Sequence, residues 1–287
     1  MKFGVAFANV GRFVQPEEAT FLAKSCEEAG VESLWTVEHV AVPTGYVAQY
    51  PYSADGRMPG PEDSAIPDPL LWLAYVAAAT SKIRLATGIL ILPQRHPIYV
   101  AKEIATLDLL SKGRALLGIG IGWMEDEFRA LGIPFDERGA RLLGARDALR
   151  TLWKPGAHAF KSDHYAWEAL ESNPKPVQPG GVPIVVGGHV LGAARRAARV
   201  GDGFFPMKTG GGRLGELLEA MSSECARIGR DPAKIEISAS LPGPDLDAIR
   251  RLEDQGVSRL VMGPPGFGRD ALRAGLDKFA SNVIAKL

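Results

Sequence analysis

Eight short apolar runs, each followed by a segment of helical periodicity, constrain the fold of this chain most strongly. The runs predict strands at residues 1–8, 33–37, 83–87, 114–119, 183–186, 203–206, 235–239 and 258–262. The intervening and final segments predict helices at 16–29, 68–80, 98–110, 125–131, 137–153, 190–200, 214–228, 245–255 and 270–285. Short apolar strands separated by amphipathic helices are typical of a parallel sheet. The alternation therefore predicts an α/β protein.

The number of repeats favours a closed barrel over an open sheet. Eight strand–helix units within 287 residues match a (β/α)8 TIM barrel. The alternative, an open doubly wound sheet, would carry G-x-G-x-x-G directly after its first strand. This chain has Asn9-Val10-Gly11-Arg12 there, and its glycine-rich stretch at 118–122 follows the fourth strand instead. We expect one barrel domain over residues 1–287.

Two longer segments interrupt the alternation. Residues 41–67 follow the second strand and are rich in Pro, Tyr and Gly. Loops after barrel strands lie on the face that carries the active site, so we expect a lid or a substrate-binding loop, with disordered padding as the alternative. Residues 154–181 precede the fifth strand and contain a predicted hairpin around residues 164–167. This second insertion is expected away from the site or along its flank.

Composition excludes several classes of function. Basic and acidic residues number 33 each and no long basic run occurs, which argues against nucleic acid as a partner. No apolar run reaches the ~18 residues that span a membrane. Cys26 and Cys225 are expected as buried free thiols, which fits a cytoplasmic location. The five histidines and two cysteines show no metal-ligand spacing, so no metal site is predicted.

Two strands end in glycine-rich segments, which predict a backbone surface against which a flat cofactor can lie. The third strand continues into Gly88-Ile89, and the fourth into Gly120-Ile121-Gly122-Trp123. Glycine has no Cβ and lets a backbone approach a flat ligand closely. Trp123 would stack on a cofactor or substrate, or close the top of the barrel. Strand ends of this kind favour an enzyme over a binding or structural module.

The second strand ends in Glu38-His39, at the mouth of the predicted barrel. Histidine exchanges protons near neutral pH and is the stronger catalytic candidate. Adjacent strand residues point to opposite sides, so Glu38 and His39 would reach the same ligand only if the strand bent between them. The alternative role for His39 is a hydrogen bond to a neighbouring loop.

The fifth strand opens into Gly187-Gly188-His189 at the start of a helix, an arrangement that lets a phosphate approach free backbone N–H groups. A tight turn that needs glycine for its conformation is the alternative. Arg195, Arg196 and Arg199 follow in the helix body, where solvent exposure would also account for them. Lys208 after the sixth strand and Tyr46 in the first insertion are candidate substrate-binding residues, and the tyrosines of that insertion favour a mainly apolar or aromatic substrate.

Motifs along nearly the whole chain resemble one known family. They are SLWTVEH (33–39), TGILILPQRHP (87–97), GIGIGW (118–123), EF (127–128), GIPF (132–135), RG (138–139), VGG (186–188) and AARVGDG (197–203). In this order they resemble the bacterial luciferase-like superfamily of flavin and deazaflavin oxidoreductases on (β/α)8 barrels, most closely the branch that uses coenzyme F420. The resemblance implies hydride transfer between the deazaflavin and a small organic substrate.

The resemblance also implies roles for individual residues. Gly88-Ile89 matches a non-proline cis peptide behind the deazaflavin ring, and His39 matches a histidine used in proton or hydride chemistry. Gly187, Gly188 and His189 match the segment that holds the cofactor phosphate. Glu38 stands where many relatives have Asp, and Trp123 stands where sugar-phosphate dehydrogenases carry a catalytic Glu, which argues against a sugar-phosphate substrate.

Two other functions remain open at this stage. One is a monooxygenase that uses reduced FMN on the same barrel, because FMN and the deazaflavin share a ring face and a phosphate region. The other is a flavin- or deazaflavin-binding protein without catalysis. Relatives commonly dimerise through their second and third helices, so the resemblance also implies a homodimer.

Overall fold

The computed structural model describes residues 1–207 and 212–287. Its strands are β1 (Lys2–Val5), β2 (Ser33–Thr36), β3 (Arg84–Thr87), β4 (Leu90–Ile91), β5 (Ala115–Gly120), β6 (His158–Lys161), β7 (Ala166–Leu170), β8 (Ile184–Gly187), β9 (Gly203–Phe205), β10 (Glu236–Ser240) and β11 (Val257–Met262). Its helices are α1 (Pro16–Glu28), α2 (Pro69–Ala77), α3 (Pro97–Leu110), α4 (Glu125–Ala130), α5 (Arg138–Leu152), α6 (Leu191–Val200), α7 (Arg213–Ile228), α8 (Leu246–Asp254) and α9 (Arg269–Asn282).

Eight parallel strands close into a barrel, as the alternation predicts. Neighbours run in the order β3, β2, β1, β11, β10, β9, β8, β5, and β3 pairs with β5 to complete the circle. The closing register places Leu85 opposite Ala115. The two-residue β4 adds a short pairing beside β5, in which Leu90 lies opposite Ile119. The predicted (β/α)8 TIM barrel is confirmed, and the carboxyl ends of its strands share one mouth.

Apolar side chains fill the structure in two layers. The inner layer lies within the barrel and is formed by Ala6, Trp35, Ala86, Leu116, Val185, Phe205 and Val261. The rings of Trp35 and Phe205 meet edge to face at 5.3 Å between centroids. A second, larger layer lies between strands and helices and includes both Cys26 and Cys225, which are buried free thiols as predicted. The barrel interior is therefore a packed core, and space for a ligand lies above it.

Several boundaries differ from the predicted ones. The first strand ends at Val5 rather than residue 8, because the chain turns at Phe7, whose φ is 56°. A short 3-10 helix, Gly11–Val14, follows and was not predicted. The last α-helix ends at Asn282, before residue 285, because a 3-10 turn at Ile284–Lys286 replaces its final turn.

The first insertion, residues 41–67, contains no helix or strand and lies over the barrel mouth. The buried side chain of Asn9 fixes both of its ends. Its amide donates to the carbonyl oxygens of Val37 and Pro67 at 2.9 and 3.0 Å, and its oxygen accepts the N–H of Val37 at 2.8 Å. One residue after β1 therefore holds the two ends of this segment together, even though the segment has no regular structure.

The second insertion forms the predicted hairpin from β6 and β7, which are antiparallel. The hairpin packs beside α5, and its residues do not border the cavity at the mouth. None of the helices in the described part of the chain has the length and apolarity to cross a membrane.

Candidate functional site

A cavity of about 660 Å³ opens at the carboxyl ends of the barrel strands. Its walls come from the ends of β2, β3, β5, β8 and β9 and from the first insertion. They are mainly apolar, and the described residues that line it include Phe7, His39, Tyr50, Tyr52, Met58, Ile66, Ile89, Trp123, Gly188, Arg196, Phe205 and Met207. Concave, mostly apolar sites with a few convergent polar groups are typical of small-molecule binding.

His39 borders this cavity and is held from behind by Glu127 of α4. The distance from His39 Nδ1 to Glu127 Oε2 is 3.0 Å, and both side chains are nearly buried. The indole of Trp123 packs edge-on against the imidazole at 5.6 Å between centroids. Sequence reasoning did not assign a role to Glu127. The available signal was its place in the first turn of a helix, four residues after Trp123.

Glu38 lies next to His39 but faces a different set of partners, as the alternation of strand side chains predicts. Its carboxylate accepts the backbone N–H of Ile91 and the guanidinium of Arg95, whose Nε lies 2.8 Å away. Arg95 also binds Asp68, which caps the N-terminus of α2. Burial raises the pKa of Glu38, and the charge of Arg95 opposes that rise. Both oxygens of Glu38 are occupied by these partners although Glu38 borders the cavity, and its catalytic role stays a prediction.

Aromatic side chains connect the insertion to the barrel. Trp123 meets Tyr50 edge-on at 5.1 Å, and Tyr50 meets Tyr52 at 5.3 Å. Tyr52 in turn lies 4.8 Å from the ring of His189. Burial raises the pKa of Tyr52 to about 12, so its phenol stays neutral at physiological pH. These rings form one wall of the cavity.

Tyr46 differs from these tyrosines in position. It is 4% exposed, packs behind Trp123 and does not border the cavity. Its hydroxyl accepts a hydrogen bond from the N–H of Met58 at 2.9 Å. The guanidinium carbon of Arg57 stacks over its ring, 5.0 Å from the ring centroid. Tyr46 therefore packs within the insertion while Tyr50 and Tyr52 line the cavity, and its substrate-binding role stays a prediction. Lys208, the other predicted substrate-binding residue, lies outside the described residues.

The glycines at the strand ends make room for Ile89. The Gly88–Ile89 peptide is cis, as the resemblance implies. A Cβ on Gly120 would lie 2.6 Å from Ile89 Cδ1, and one on Gly187 would lie 2.5 Å from Ile89 Cγ2. Gly122 faces Phe128 in the same way, at 2.6 Å. Because these glycines have no side chain, Ile89 and Phe128 fit against their backbone. Ile89 therefore presents its apolar surface to a ligand between the ends of the two strands.

A corner suited to an anion lies where β8 leads into α6. Gly188 has a φ of 127°, which favours glycine, and the first turn of α6 has no side-chain cap. Arg196 of the same helix borders the cavity, and its buried Nε has no hydrogen-bond partner among the described residues. Burial and the nearby Arg138 and Arg199 lower the pKa of Arg196. The sequence analysis named Arg196 together with Arg195 and Arg199 but did not single it out, because the sequence does not show which of the three arginines borders the cavity.

Comparison with known proteins decides the family. The model of the luciferase-like monooxygenases matches residues 1–243. The chain belongs to the luciferase-like monooxygenase family. The uncharacterized protein Rv0940c of Mycobacterium tuberculosis is 33% identical over 279 residues, covering 93% of this chain and 94% of its own. The resemblance read from the motifs is confirmed.

Other proteins are similar to a shorter part of the chain or through the fold alone. The F420-dependent glucose-6-phosphate dehydrogenase of Kineococcus radiotolerans is 33% identical over 201 residues, which are 69% of this chain and 54% of that protein. The coenzyme F420-dependent tetrahydromethanopterin reductase of Methanopyrus kandleri superposes with a TM-score of 0.78 at 17% identity, covering 99% of both chains. Monooxygenase RslO1 of Streptomyces bottropensis gives 0.76 at 22%, covering 100% and 99%. The two superpositions show the same barrel fold.

Proposed function

We propose that this luciferase-like protein is an oxidoreductase that transfers a hydride between the deazaflavin coenzyme F420 and a small, mainly apolar organic molecule. The proposal rests on the composition of one cavity, which combines apolar walls, the imidazole of His39 and Arg196, whose Nε has no hydrogen-bond partner among the described residues. The F420 dependence named for the Kineococcus radiotolerans relative supports the choice of cofactor.

The residues present fit such a cofactor at both of its ends. Arg196 offers a partly desolvated guanidinium whose Nε has no hydrogen-bond partner among the described residues, and the first turn of α6, which has no side-chain cap, lies beside it. These groups would bind a phosphate. Ile89, supported by the close approach of Gly120 and Gly187, would form the apolar surface behind a flat ring system. Gly122 and His189, which also border the cavity, are proposed as further cofactor-binding residues.

Bound there, the deazaflavin would accept or donate the hydride. The protein itself would orient the substrate, exclude water and move a proton. The aromatic wall of Tyr50, Tyr52 and Trp123 would cover the reacting molecule from the side of the insertion. His39 would exchange a proton with an oxygen or nitrogen of the substrate. The apolar lining favours a substrate without a phosphate or several charges.

The alternative is a monooxygenase that uses reduced FMN, and the description of the family as monooxygenases favours it. The same corner and the same apolar surface would serve FMN. The third hypothesis is a protein that binds either cofactor without catalysis. His39 argues against this hypothesis, because a protein that only binds the cofactor needs no proton-exchanging group at the cavity.

Equilibrium binding of oxidised F420 and of FMN to the purified protein, followed by fluorescence, tests the proposal. We expect tight binding of F420 and at least tenfold weaker binding of FMN. The opposite preference would transfer the assignment to a flavin monooxygenase. Binding of neither would overturn the cofactor site, and binding of F420 without hydride transfer to any of a panel of alcohols, ketones and enones would favour the non-catalytic reading.

We further propose that the protein is a homodimer formed through α2 and α3, in the cytoplasmic location predicted from its thiols. These adjacent helices expose Leu71, Tyr75, Tyr99 and Leu110, each by at least half of its surface. Sedimentation should give a dimer for the wild type and a monomer for Leu71→Asp. Phe267→Asp, at an exposed residue on the loop before α9, is the matched control and should remain dimeric.

A further inference from the structure

The carboxylate of Glu127 is completely enclosed and uses its two oxygens differently. Oε1 accepts the backbone N–H groups of Val40 and Ala41 at 2.6 and 3.1 Å. Oε2 lies 3.0 Å from Nδ1 of His39. The Glu127 side chain is 1% exposed, so no solvent competes for these positions. One buried side chain therefore holds both the catalytic candidate and the chain directly after it.

The hydrogen-bond donors around the Glu127 carboxylate determine which member of the Glu127–His39 pair carries the shared proton. Burial raises the pKa of Glu127, but the hydrogen bond and charge of His39 and the N–H of Ala41 outweigh it, and the pKa falls below its ordinary value. An ionised carboxylate only accepts hydrogen bonds. Nδ1 of His39 must therefore carry a hydrogen, and in the neutral imidazole Nε2 then carries the lone pair.

The remaining nitrogen of His39 is available to a ligand. The imidazole borders the cavity, and within the described part of the chain no residue hydrogen-bonds its Nε2. Trp123 packs against the ring at an interplanar angle of 84°, which restricts its rotation. The ring is thus held on one edge by Glu127 and against one neighbour by Trp123.

We propose that Glu127 is a positioning residue that sets the tautomer of His39, so that Nε2 is presented to the substrate as a hydrogen-bond acceptor. The class of group it would recognise is an O–H or N–H donor next to the reacting carbon. When such an alcohol is oxidised, its C–H bond breaks and the hydride leaves to the oxidised cofactor. The O–H proton passes to Nε2 and a carbonyl forms. The imidazolium is then paired with the Glu127 carboxylate, and the reverse reaction returns the proton.

The expected effect of Glu127 on turnover rests on the proposed function, whereas the tautomer of His39 can be measured independently of that function. ¹⁵N NMR of ligand-free protein labelled at histidine distinguishes the two neutral forms, and His39→Gln assigns the signal. In Glu127→Gln the carboxamide oxygen must accept from Val40 and Ala41, so its NH₂ faces Nδ1. We expect the Nδ1–H form in the wild type and the Nε2–H form in Glu127→Gln.

Asp126→Asn is the matched control, because Asp126 binds the backbone of the insertion at Val47 and Ala48 and does not contact His39. It should keep the Nδ1–H form. An Nε2–H tautomer in the wild type would overturn the proposal even if the Gln variant failed to fold, and so would an unchanged tautomer in a folded Gln variant.

Measurements of F420 binding distinguish a failure of the positioning role of Glu127 from a failure of the proposed F420-dependent activity. F420 affinity should change less than threefold in Glu127→Gln, while kcat for an alcohol substrate should fall about 10²-fold. If the wild type binds neither F420 nor FMN, the proposed function fails and the tautomer result still decides the role of Glu127. A loss of F420 affinity equal to the loss of kcat would show that Glu127 supports the cofactor and overturn its role as positioning residue.

Discussion

Arg259 at the amino-terminal end of the barrel and Arg196 at its mouth are both shielded cations, yet their surroundings differ. Arg259 is fully buried, and Glu32 accepts from its Nε and Nη2 at 3.0 Å each, while Glu236 and Ser238 accept from Nη1. Arg196 borders the cavity and has no carboxylate partner within the described residues.

The same contrast extends to the groups around them. Below the core, Lys2 also pairs with Glu236, so the charges of this end satisfy one another. At the mouth, His39 has one nitrogen without a partner in the described chain and Arg196 has an unpaired Nε. A buried polar group without a partner costs free energy, and at a binding site a ligand supplies the missing partner. The lower end therefore stabilises the barrel, and the mouth is available to a ligand.

The largest expected effect comes from breaking the lower network. Arg259→Met would leave Glu32 and Glu236 without their common partner, and removal of one member of a buried ion pair costs about 3–5 kcal/mol. Urea unfolding should show this loss, with the affinity for F420 unchanged under native conditions. The control is Arg273→Met, which removes an exposed ion pair with Glu28 and should leave the unfolding midpoint nearly constant.

The opposite result is expected at the mouth. Arg196→Gln should weaken F420 binding by roughly 10- to 100-fold, because a charge-assisted bond to a phosphate contributes about 1.5–3 kcal/mol. Its stability should not fall, since the lost cation has no carboxylate partner among the described residues. Arg195→Gln changes the exposed neighbour in α6 and should bind normally. A destabilised Arg196→Gln with normal F420 affinity would remove the contrast between the two ends.

The lower network should also respond to pH. Burial raises the pKa of Glu236, but Arg259 and Lys2 outweigh it, so the pKa lies below its ordinary value. Such a carboxylate contributes stability above its unfolded-state pKa of about 4.3, and that contribution is lost as the pH falls through its folded-state pKa. The difference in unfolding free energy between wild type and Glu236→Gln should therefore shrink in acid. Glu17→Gln, on an exposed face of α1, should show no such convergence.

A smaller and local effect is expected where the insertion is anchored. Asp126 accepts the N–H groups of Val47 and Ala48 at 3.3 and 3.2 Å. Asp126→Ala should speed hydrogen exchange of these two amides by about fivefold, corresponding to about 1 kcal/mol, without changing global stability. Glu125→Ala, which removes only an exposed pair with Arg129, should leave both rates unchanged.

Much of the fold followed from local pattern. Alternating apolar runs and helices predicted the barrel, and the helix predicted at 68–80 begins within one residue of α2, because periodicity acts over a few residues. The early end of β1 at Val5 escaped prediction, since the turn at Phe7 has no glycine or proline to mark it.

The sequence by itself determined that this chain is a (β/α)8 barrel of the luciferase-like family, with His39 and the glycines at the mouth. Only the tertiary structure decided which groups meet there. Glu127 reaches His39 across 88 positions of sequence, and Ile89 occupies the space above Gly120 and Gly187. The physical reason is that periodicity and capping depend on near neighbours in the chain. Contacts between strand ends and helix termini depend instead on how the barrel closes.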